Sequence, residues 1–229
     1  DWEFIRGLWK SYYPYRGDTE NHWLMYYASL YLACALFPDA DRDTWFNGRS
    51  SAQNMEEARE YILEWVRITT LYGQGEFDSP SYIGTYAAPL AMLATWADDP
   101  DLKKAGRMML DYILLDFAVE NVGGIYGGAH SRVYPREIIH PWQGPSATQA
   151  WLCFNQGEFR RNAYNMVLAL TDYTPPPIIV RIARDRSQAH EHKELKRSTW
   201  KMRHQNGPTF AVDNKKALPL YKYSYRHPD

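Results

Sequence analysis

The chain has 229 residues and a formal net charge of −1, and 45% of its residues are hydrophobic. This length fits one large domain or one domain with part of a second, and the balanced charge gives no overall field that would attract nucleic acid. The nine Trp, eighteen Tyr and eight Phe residues can fill a core or present flat faces to sugar rings. We therefore expect no nucleic-acid partner and keep a carbohydrate platform as one interpretation of the aromatic residues.

The first predicted helix spans 19–37. Asp18 or Thr19 can cap its first turn, and Pro38 ends it. From 23 to 37 the helix is apolar all round, which is typical of a helix enclosed by protein. A membrane-spanning helix needs about 20 apolar residues, so this shorter run predicts burial in the protein and no membrane span.

Amphipathic and apolar helices alternate along the next part of the chain. Helices are predicted over 54–72, 81–96, 100–120, 145–156 and 158–170. Those at 54–72 and 100–120 have one apolar face, whereas those that start near 19, 81 and 145 are apolar on most sides. The apolar helices recur about every 60 residues, which suggests repeated helical hairpins. We predict a mainly α fold, with an incomplete α/α toroid of helical hairpins over 1–174. An irregular helical bundle is the alternative.

The sequence changes character after the three prolines at 175–177. Strands are predicted over 178–183, 209–212 and 220–227, because these runs are rich in β-branched and aromatic residues. The charged stretch 185–198 is predicted to be a solvated loop or a short helix. We therefore expect a β-rich segment over 175–229, the start of an antiparallel β domain.

In a ring of antiparallel helices, the N-termini of the inner helices open on the same side. Their positive dipole ends favour an anionic ligand there. Asn21 and His22 lie at the first such end, Tyr82 and Tyr86 at the second, and Gln149 at the third. The alternative interpretation is that Asn21 and His22 only cap their helix.

The glycine-rich loop 120–145 is the second candidate for a functional region. Its glycines permit close approach of a ligand, and long loops are often functional. The loop carries a dense set of titratable and aromatic side chains, namely Tyr126, His130, Arg132, Tyr134, Arg136, His140 and Trp142. A surface loop with a satisfied histidine is the simpler interpretation. No sharp ligand spacing supports a metal site at its histidines or at the His190/His192 pair, so we expect no cofactor, although a divalent metal is possible in principle.

Three short stretches, "ENHW" (20–23), "SPSYIGTY" (79–86) and "GGAHSRVYP" (127–135), together with helical hairpins followed by strands, resemble polysaccharide lyases of the heparinase, alginate-lyase and chondroitin-lyase kind. Only three hairpins are visible, whereas such lyases usually have more and a larger β domain. The resemblance implies cleavage of a uronic-acid polymer by β-elimination, an anionic polysaccharide or oligosaccharide as partner, and a periplasmic or secreted location.

The resemblance also implies roles for the residues at these stretches. Asn21 would neutralise the uronate carboxylate with help from Arg132, and His22 or His130 would be the base. Tyr82, Tyr86 or Tyr134 would donate a proton to the leaving oxygen. The expected substrate-binding residues are Trp23, Tyr126, His140, Trp142 and Gln149.

Two other functions stay open at this point. A glycoside hydrolase on the same kind of toroid would need two carboxylates across a cleft, and Glu20, Glu76, Asp78 and Glu137 lie near the expected mouth. A non-catalytic carbohydrate-binding or scaffold domain would need only the aromatic residues.

Overall fold

The computed structural model describes residues 19–45, 47–197, 203–204, 210–211 and 219–228. Over these residues the chain is mainly helical, which confirms the predicted fold class. Its α-helices are, in chain order, α1 (Glu20–Leu36), α2 (Ser51–Tyr72), α3 (Ile83–Trp96), α4 (Pro100–Glu120), α5 (Pro135–Ile139), α6 (Pro145–Phe154), α7 (Ala163–Ala169) and α8 (Pro177–Arg184). Two 3₁₀ turns, Arg42–Thr44 and Pro141–Gln143, lie between them.

The strands of the described residues form three antiparallel pairs. Strands β1 (Asn121–Val122) and β2 (Ile125–Tyr126) form a tight hairpin, and β4 (Arg203–His204) pairs with β5 (Phe210–Ala211). The longest pair joins β3 (His190–Arg197) to β6 (Pro219–Arg226), with His190 opposite Arg226 and Arg197 opposite Pro219. We call β3 and β6 the C-terminal sheet.

Local capping determines where the amphipathic helices begin. Helix α2 starts three residues before its predicted start, because Ser50 and Gln53 form a capping box. Asp99 caps α4 by accepting hydrogen bonds from the N–H groups of Asp101 and Leu102. Helix α7 is shorter than predicted, since Asn162 caps it and residues 158–161 are not helical. The proposed Asp18 cap of α1 lies outside the described residues.

The core lies where α1, α2, α3 and α4 pack together. Helix α1 packs against α2 and α3, and α3 packs against α4 and α7. Much of the aromatic content is used here: the rings of Tyr27 and Tyr61 stack at 4.1 Å, and Phe117 contacts Phe154. These rings are fully buried, so they contribute hydrophobic burial and ring contacts to the core and offer no face to a ligand.

The prediction of a strand at 178–183 is wrong. Residues 177–184 form helix α8, with Pro177 at its first position. Ile179 and Ala183, four residues apart, are buried in the main core, and Arg181 and Arg184 are exposed on the other side. A helical spacing of apolar residues therefore outweighed the β propensity of the Ile-Ile-Val run.

The prediction of a loop or short helix at 185–198 is also wrong, because residues 190–197 form strand β3. Strand β6 agrees closely with the predicted strand 220–227, and β5 lies within the predicted 209–212, of which only 210–211 are described. The division at 174/175 stays a prediction; α8 beyond it packs against α4. No helix among the described residues has both the length and the apolar content required to cross a membrane.

Candidate functional site

A short buried segment between α2 and α3 is the structural centre of the site. We call residues 73–79 the central segment; every one of them is buried. Gly73 ends α2 with a φ of 77°, which favours glycine. Asp78 also adopts a positive φ, 52°, an uncommon backbone conformation for a non-glycine residue and one that strained functional regions often contain.

Glu20, at the start of α1, is fully buried against the central segment. Its Oε1 accepts a hydrogen bond from Nε1 of Trp65 at 2.9 Å and a charged hydrogen bond from Arg197. Its Oε2 accepts the backbone N–H groups of Gly75 at 2.9 Å and Glu76 at 2.8 Å. A carboxylate with this many donors fixes the backbone of the central segment relative to α1.

Glu76, in the middle of the central segment, is the second fully buried carboxylate. Its Oε2 accepts hydrogen bonds from the backbone N–H of Asn21 at 3.1 Å, from Nδ2 of Asn21 at 2.7 Å and from the Tyr86 hydroxyl at 3.2 Å. Its Oε1 accepts a hydrogen bond from Nη1 of Arg132 at 2.8 Å. Glu76 therefore joins the start of α1 to the loop that carries Arg132.

Arg132 lies between two tyrosines at the protein surface, and we call Tyr82, Arg132 and Tyr134 the Tyr-Arg-Tyr trio. The Arg132 guanidinium carbon lies 4.3 Å from the centre of the Tyr82 ring, and Nη2 donates to the Tyr134 hydroxyl at 3.0 Å. The two phenol oxygens are 2.5 Å apart. The Arg132 side chain is 30% exposed and Tyr134 is 46% exposed, so the trio faces solvent.

The two phenols of the trio have opposite pKa shifts. Hydrogen bonds from Tyr82 and Arg132 lower the pKa of Tyr134 below its ordinary value, because they stabilise the phenolate. Burial, reinforced by the hydrogen bond to Tyr134, raises the pKa of Tyr82 to about 12. These opposite shifts favour Tyr82 as the donor and Tyr134 as the acceptor of the hydrogen bond between the two phenols.

His130 contacts the central segment near its end, at Asp78. Its Nδ1 is 2.5 Å from the carbonyl oxygen of Asp78; a carbonyl can only accept, so Nδ1 carries the proton. Burial lowers the pKa of His130, which favours the neutral ring. Tyr126 approaches the His130 ring edge to face at 5.6 Å, and its hydroxyl donates to Oδ1 of Asp78 at 2.7 Å.

Asp78 also belongs to a buried ionic cluster that we call the two-lysine cluster. Its members are Asp78, Asp116, Glu120, Glu194, Lys196 and Lys222. Nζ of Lys196 lies 2.5 Å from Asp116 and 2.9 Å from Glu194. Nζ of Lys222 lies 2.5 Å from Asp78 and 3.1 Å from Glu194, and it also contacts Glu120.

Burial raises the pKa of Asp116 to about 7, even though Lys196 opposes the shift. Burial also acts to raise the pKa of Glu194, but hydrogen bonds with His192 and Lys196 and the charge of Lys222 hold it below its ordinary range. One carboxylate oxygen from each of Asp78, Glu120 and Glu194 lies within 4.8 Å of the others, a spacing that suits a metal ion. The Lys222 ammonium contacts all three and already supplies the positive charge there.

The structure brings many of the predicted site residues to one region. Tyr82, Arg132 and Tyr134 form the trio, Asn21 and Tyr86 bind Glu76, and His130 and Tyr126 bind Asp78. His22 is exposed on α1. His140 and Trp142 are exposed at the turn before α6, with their rings edge to face at 5.6 Å.

Five of the predicted site residues are too buried to contact a substrate directly. Their exposure is 6% or less, and the residues are Asn21, Trp23, Tyr86, Tyr126 and Gln149. The amide of Asn21 is occupied by Glu76, so it cannot neutralise a uronate. Trp23 stacks on Tyr27 within the core. These residues shape the interior of the site rather than its solvent-facing surface.

The interior of the site has no room for a sugar. The space between the central segment and helices α3 and α4 is about 10 Å³, roughly the minimum that one water molecule needs. It is bounded by Gln74, Glu76, Asp78, Ser79, Ile83, Tyr86, Ile113 and Tyr126. The trio is accessible from solvent, whereas the carboxylates of Glu76 and Asp78 are not.

Sequence reasoning missed the cations of the C-terminal sheet. Lys196, Arg197 and Lys222 are buried and bind the carboxylates of the helical part. A signal was present in "HEHKELKR", where every second residue can face the same side of a strand. That side of the strand carries His190, His192, Glu194 and Lys196. Because all four residues are polar, the sequence alone does not show that this side is buried.

Comparison with protein-family models, with curated proteins and with solved structures finds no match for this chain.

Proposed function

We propose that this protein is a polysaccharide lyase that cleaves a uronic-acid-containing polysaccharide by β-elimination. The observation that carries the proposal is the Tyr-Arg-Tyr trio, in which one guanidinium lies beside two phenols of opposite pKa shift on a solvent-facing surface. β-Elimination needs a cation for the carboxylate, a base for the adjacent proton and an acid for the leaving oxygen.

Arg132 is the group that would bind the uronate carboxylate. Its Nη1 lies 2.8 Å from Oε1 of Glu76, and 30% of the Arg132 side chain is exposed. A guanidinium with five N–H donors can hold a planar carboxylate. Binding the carboxylate stabilises the negative charge that develops on it when the neighbouring C5 proton leaves.

Tyr134 is the base in this proposal, and Tyr82 is the acid. The lowered pKa of Tyr134 increases its phenolate fraction, and the raised pKa of Tyr82 keeps that phenol protonated. The Tyr134 oxygen takes the C5 proton, the C4–C5 double bond forms, and the C4–O bond breaks. Tyr82 protonates the departing oxygen. Transfer of a proton from Tyr134 to Tyr82 across their 2.5 Å contact then restores both groups.

His130 is less well suited to be the base. It is half-buried, and its Nδ1 donates to the Asp78 carbonyl. Tyr134 is exposed and contacts Arg132 directly. We assign His130 a structural part in holding the loop that carries Arg132 and Tyr134.

The incomplete α/α toroid of helical hairpins belongs to the proposal. Helix α1 packs against α2, and α3 packs against α4, as successive hairpins require. The polymer would then lie across the trio at the mouth of this arc. An anionic polymer and a periplasmic or secreted location follow from the proposed chemistry.

A glycoside hydrolase is less favoured by the geometry. It needs two accessible carboxylates on opposite sides of a cleft. Glu20, Glu76 and Asp78 are buried and bound to Arg or Lys side chains, and only Glu137 of the four candidates is partly exposed.

The test is incubation of the purified protein with alginate, heparin, chondroitin, hyaluronan and ulvan, while the ultraviolet absorbance of the unsaturated uronate product is followed. A rise with at least one polymer supports the lyase. Reducing sugar without absorbance would support a hydrolase instead, and binding without either product would support a binding module.

Two variants of the trio and one matched control test whether any activity depends on the trio. Tyr134→Phe and Arg132→Met should each lower turnover by about 100-fold or more, because general base and electrostatic contributions have this size. Tyr223→Phe is the matched control, since Tyr223 is an exposed phenol on the C-terminal sheet. Turnover by Tyr134→Phe equal to that of the control would refute the assignment.

A further inference from the structure

The C-terminal sheet holds one side of the central segment. Nε of Arg197 donates to the Gly73 carbonyl at 2.7 Å, and the Arg197 backbone N–H donates to the Gln74 carbonyl at 3.4 Å. Further along the segment, Lys196 and Lys222 both contact the Asp78 carboxylate. The sheet therefore contacts the beginning of the central segment and a point near its end.

The loop that carries Arg132 and Tyr134 contacts the same segment. Glu76 binds the Arg132 guanidinium, and the Ser79 hydroxyl donates to the Arg132 carbonyl at 2.6 Å. The backbone N–H of Ser131 donates to the Phe77 carbonyl at 3.1 Å. The orientation of Arg132 thus depends on where the central segment lies.

These contacts leave little freedom for the central segment to move. Lys196, Arg197 and Lys222 are each 4% exposed or less, so their charges are compensated by protein groups and not by water. A Cβ atom on Gly73 would lie 2.3 Å from the carbonyl oxygen of Leu195, which shows how closely the end of α2 approaches β3.

We propose that Lys196, Arg197 and Lys222 are positioning residues for the Tyr-Arg-Tyr trio, acting through the central segment. Their hydrogen bonds and ion pairs described above go to the backbone of the central segment and to buried carboxylates. Their part is to hold Glu76, Asp78 and the backbone between them in the place from which Glu76 and Ser79 orient Arg132. The catalytic meaning of this positioning rests on the proposed lyase function, whereas the mechanical connection does not.

Lys222→Met tests the connection in the whole 229-residue chain. Lys222 is 4% exposed and lies on β6. Lys193→Met is the matched control, because Lys193 lies on the partner strand with a side chain that is 73% exposed. The rate of backbone amide hydrogen exchange, measured on peptides from the central segment and from 127–134, shows whether the loss of Lys222 loosens both regions. We expect about tenfold faster exchange or more in both regions for Lys222→Met, since a broken buried pair lowers local stability, and no change for the control.

A spectroscopic signal separates positioning from general loosening. Tyrosinate absorbance, compared between the parent chain and Tyr134→Phe, isolates the titration of Tyr134. In the Lys222→Met background this titration should move back toward the ordinary tyrosine range, because Arg132 no longer holds its place beside Tyr134. Faster exchange confined to the C-terminal sheet, with an unmoved Tyr134 titration, would overturn the proposal, and so would no change at all.

A second variant keeps the test valid if Lys222→Met does not fold. Lys222→Met combined with Glu120→Gln removes one buried charge of each sign and still loses the contact between Lys222 and Asp78. The same two readouts apply to it. Neither readout uses the polymer assay, so the absence of lyase activity would refute the proposed function alone, whereas an unmoved Tyr134 titration would refute the positioning alone.

Discussion

Replacing Glu20 with Gln tests whether the buried carboxylates hold the molecule together. Glu20 is fully buried and accepts hydrogen bonds from Trp65, Tyr86, Arg197 and two backbone N–H groups. Gln preserves the shape but places an NH₂ group where only donors surround it, and it leaves Arg197 without its buried partner. Removal of one partner from a buried ion pair costs about 3–5 kcal/mol.

This cost is a large part of the total stability of a domain, which is about 5–15 kcal/mol. For a chain of this size each kcal/mol corresponds to about 2–4 °C in Tm. We therefore expect Glu20→Gln to lower Tm by about 6–20 °C in thermal unfolding followed by circular dichroism. Urea unfolding followed by Trp fluorescence should give a matching fall in the free energy of unfolding.

Glu64→Gln is the control for this experiment. Glu64 also lies on a helix and binds an arginine, Arg67 at 2.7 Å, but both side chains are substantially exposed. Exposed pairs contribute little, so the control should leave Tm unchanged. If both variants shift Tm equally, the buried carboxylate does not have the role described here. In Glu20→Gln combined with Arg197→Met, the loss should be smaller than the sum of the two single losses, because the residues contact each other.

The lowered pKa of Tyr134 predicts that turnover rises with pH along a limb whose midpoint lies below 10, and the pKa of about 12 for Tyr82 predicts that turnover does not fall again before the pH nears 12. A rate–pH profile measures both limbs, and a rising limb with its midpoint at or above 10 would contradict the assignment of Tyr134 as the base. Gly73→Ala should lower Tm more than Gly48→Ala, because both glycines have a positive φ but only a Cβ at Gly73 would collide with β3. Equal losses of Tm would show that backbone strain, and not this collision, determines the cost. Both cysteines are buried, which raises the pKa of Cys34 to about 11 and that of Cys153 to about 12. A thiol reagent at neutral pH should therefore label them only as the chain unfolds, and rapid labelling of the native protein would contradict their burial.

The helical part could be predicted because its information is local. The apolar spacing along α2 and α4, the Pro100 start and the Pro38 stop are read directly from neighbouring residues. Local information failed at α8, where Ile178, Ile179 and Val180 favour a strand on their own. The four-residue spacing of Ile179 and Ala183 is compatible with a helix, but only the packing of α8 against α4 makes that spacing outweigh the β propensity.

The grouping of the site residues followed from the predicted helix starts and the glycine-rich loop, and the structure brings Tyr82, Arg132 and Tyr134 together. Their exposure could not be predicted in the same way. Asn21 looks polar and available in the sequence, but its amide is occupied by Glu76, 55 residues away. Burial of a polar residue depends on a distant partner, and a single sequence does not show which partner that is.

The order of the charges along the chain has a consequence for synthesis on the ribosome. Glu20 and Glu120, which become buried in the helical part, are made long before their basic partners on the C-terminal sheet. Arg197 follows Glu20 by 177 residues, and Lys222 follows Glu120 by 102 residues. At usual elongation rates the second interval takes about 5–20 s. Until then Glu20 and Glu120 lack these partners, so the burial of the two carboxylates is completed only after β3 and β6 have emerged.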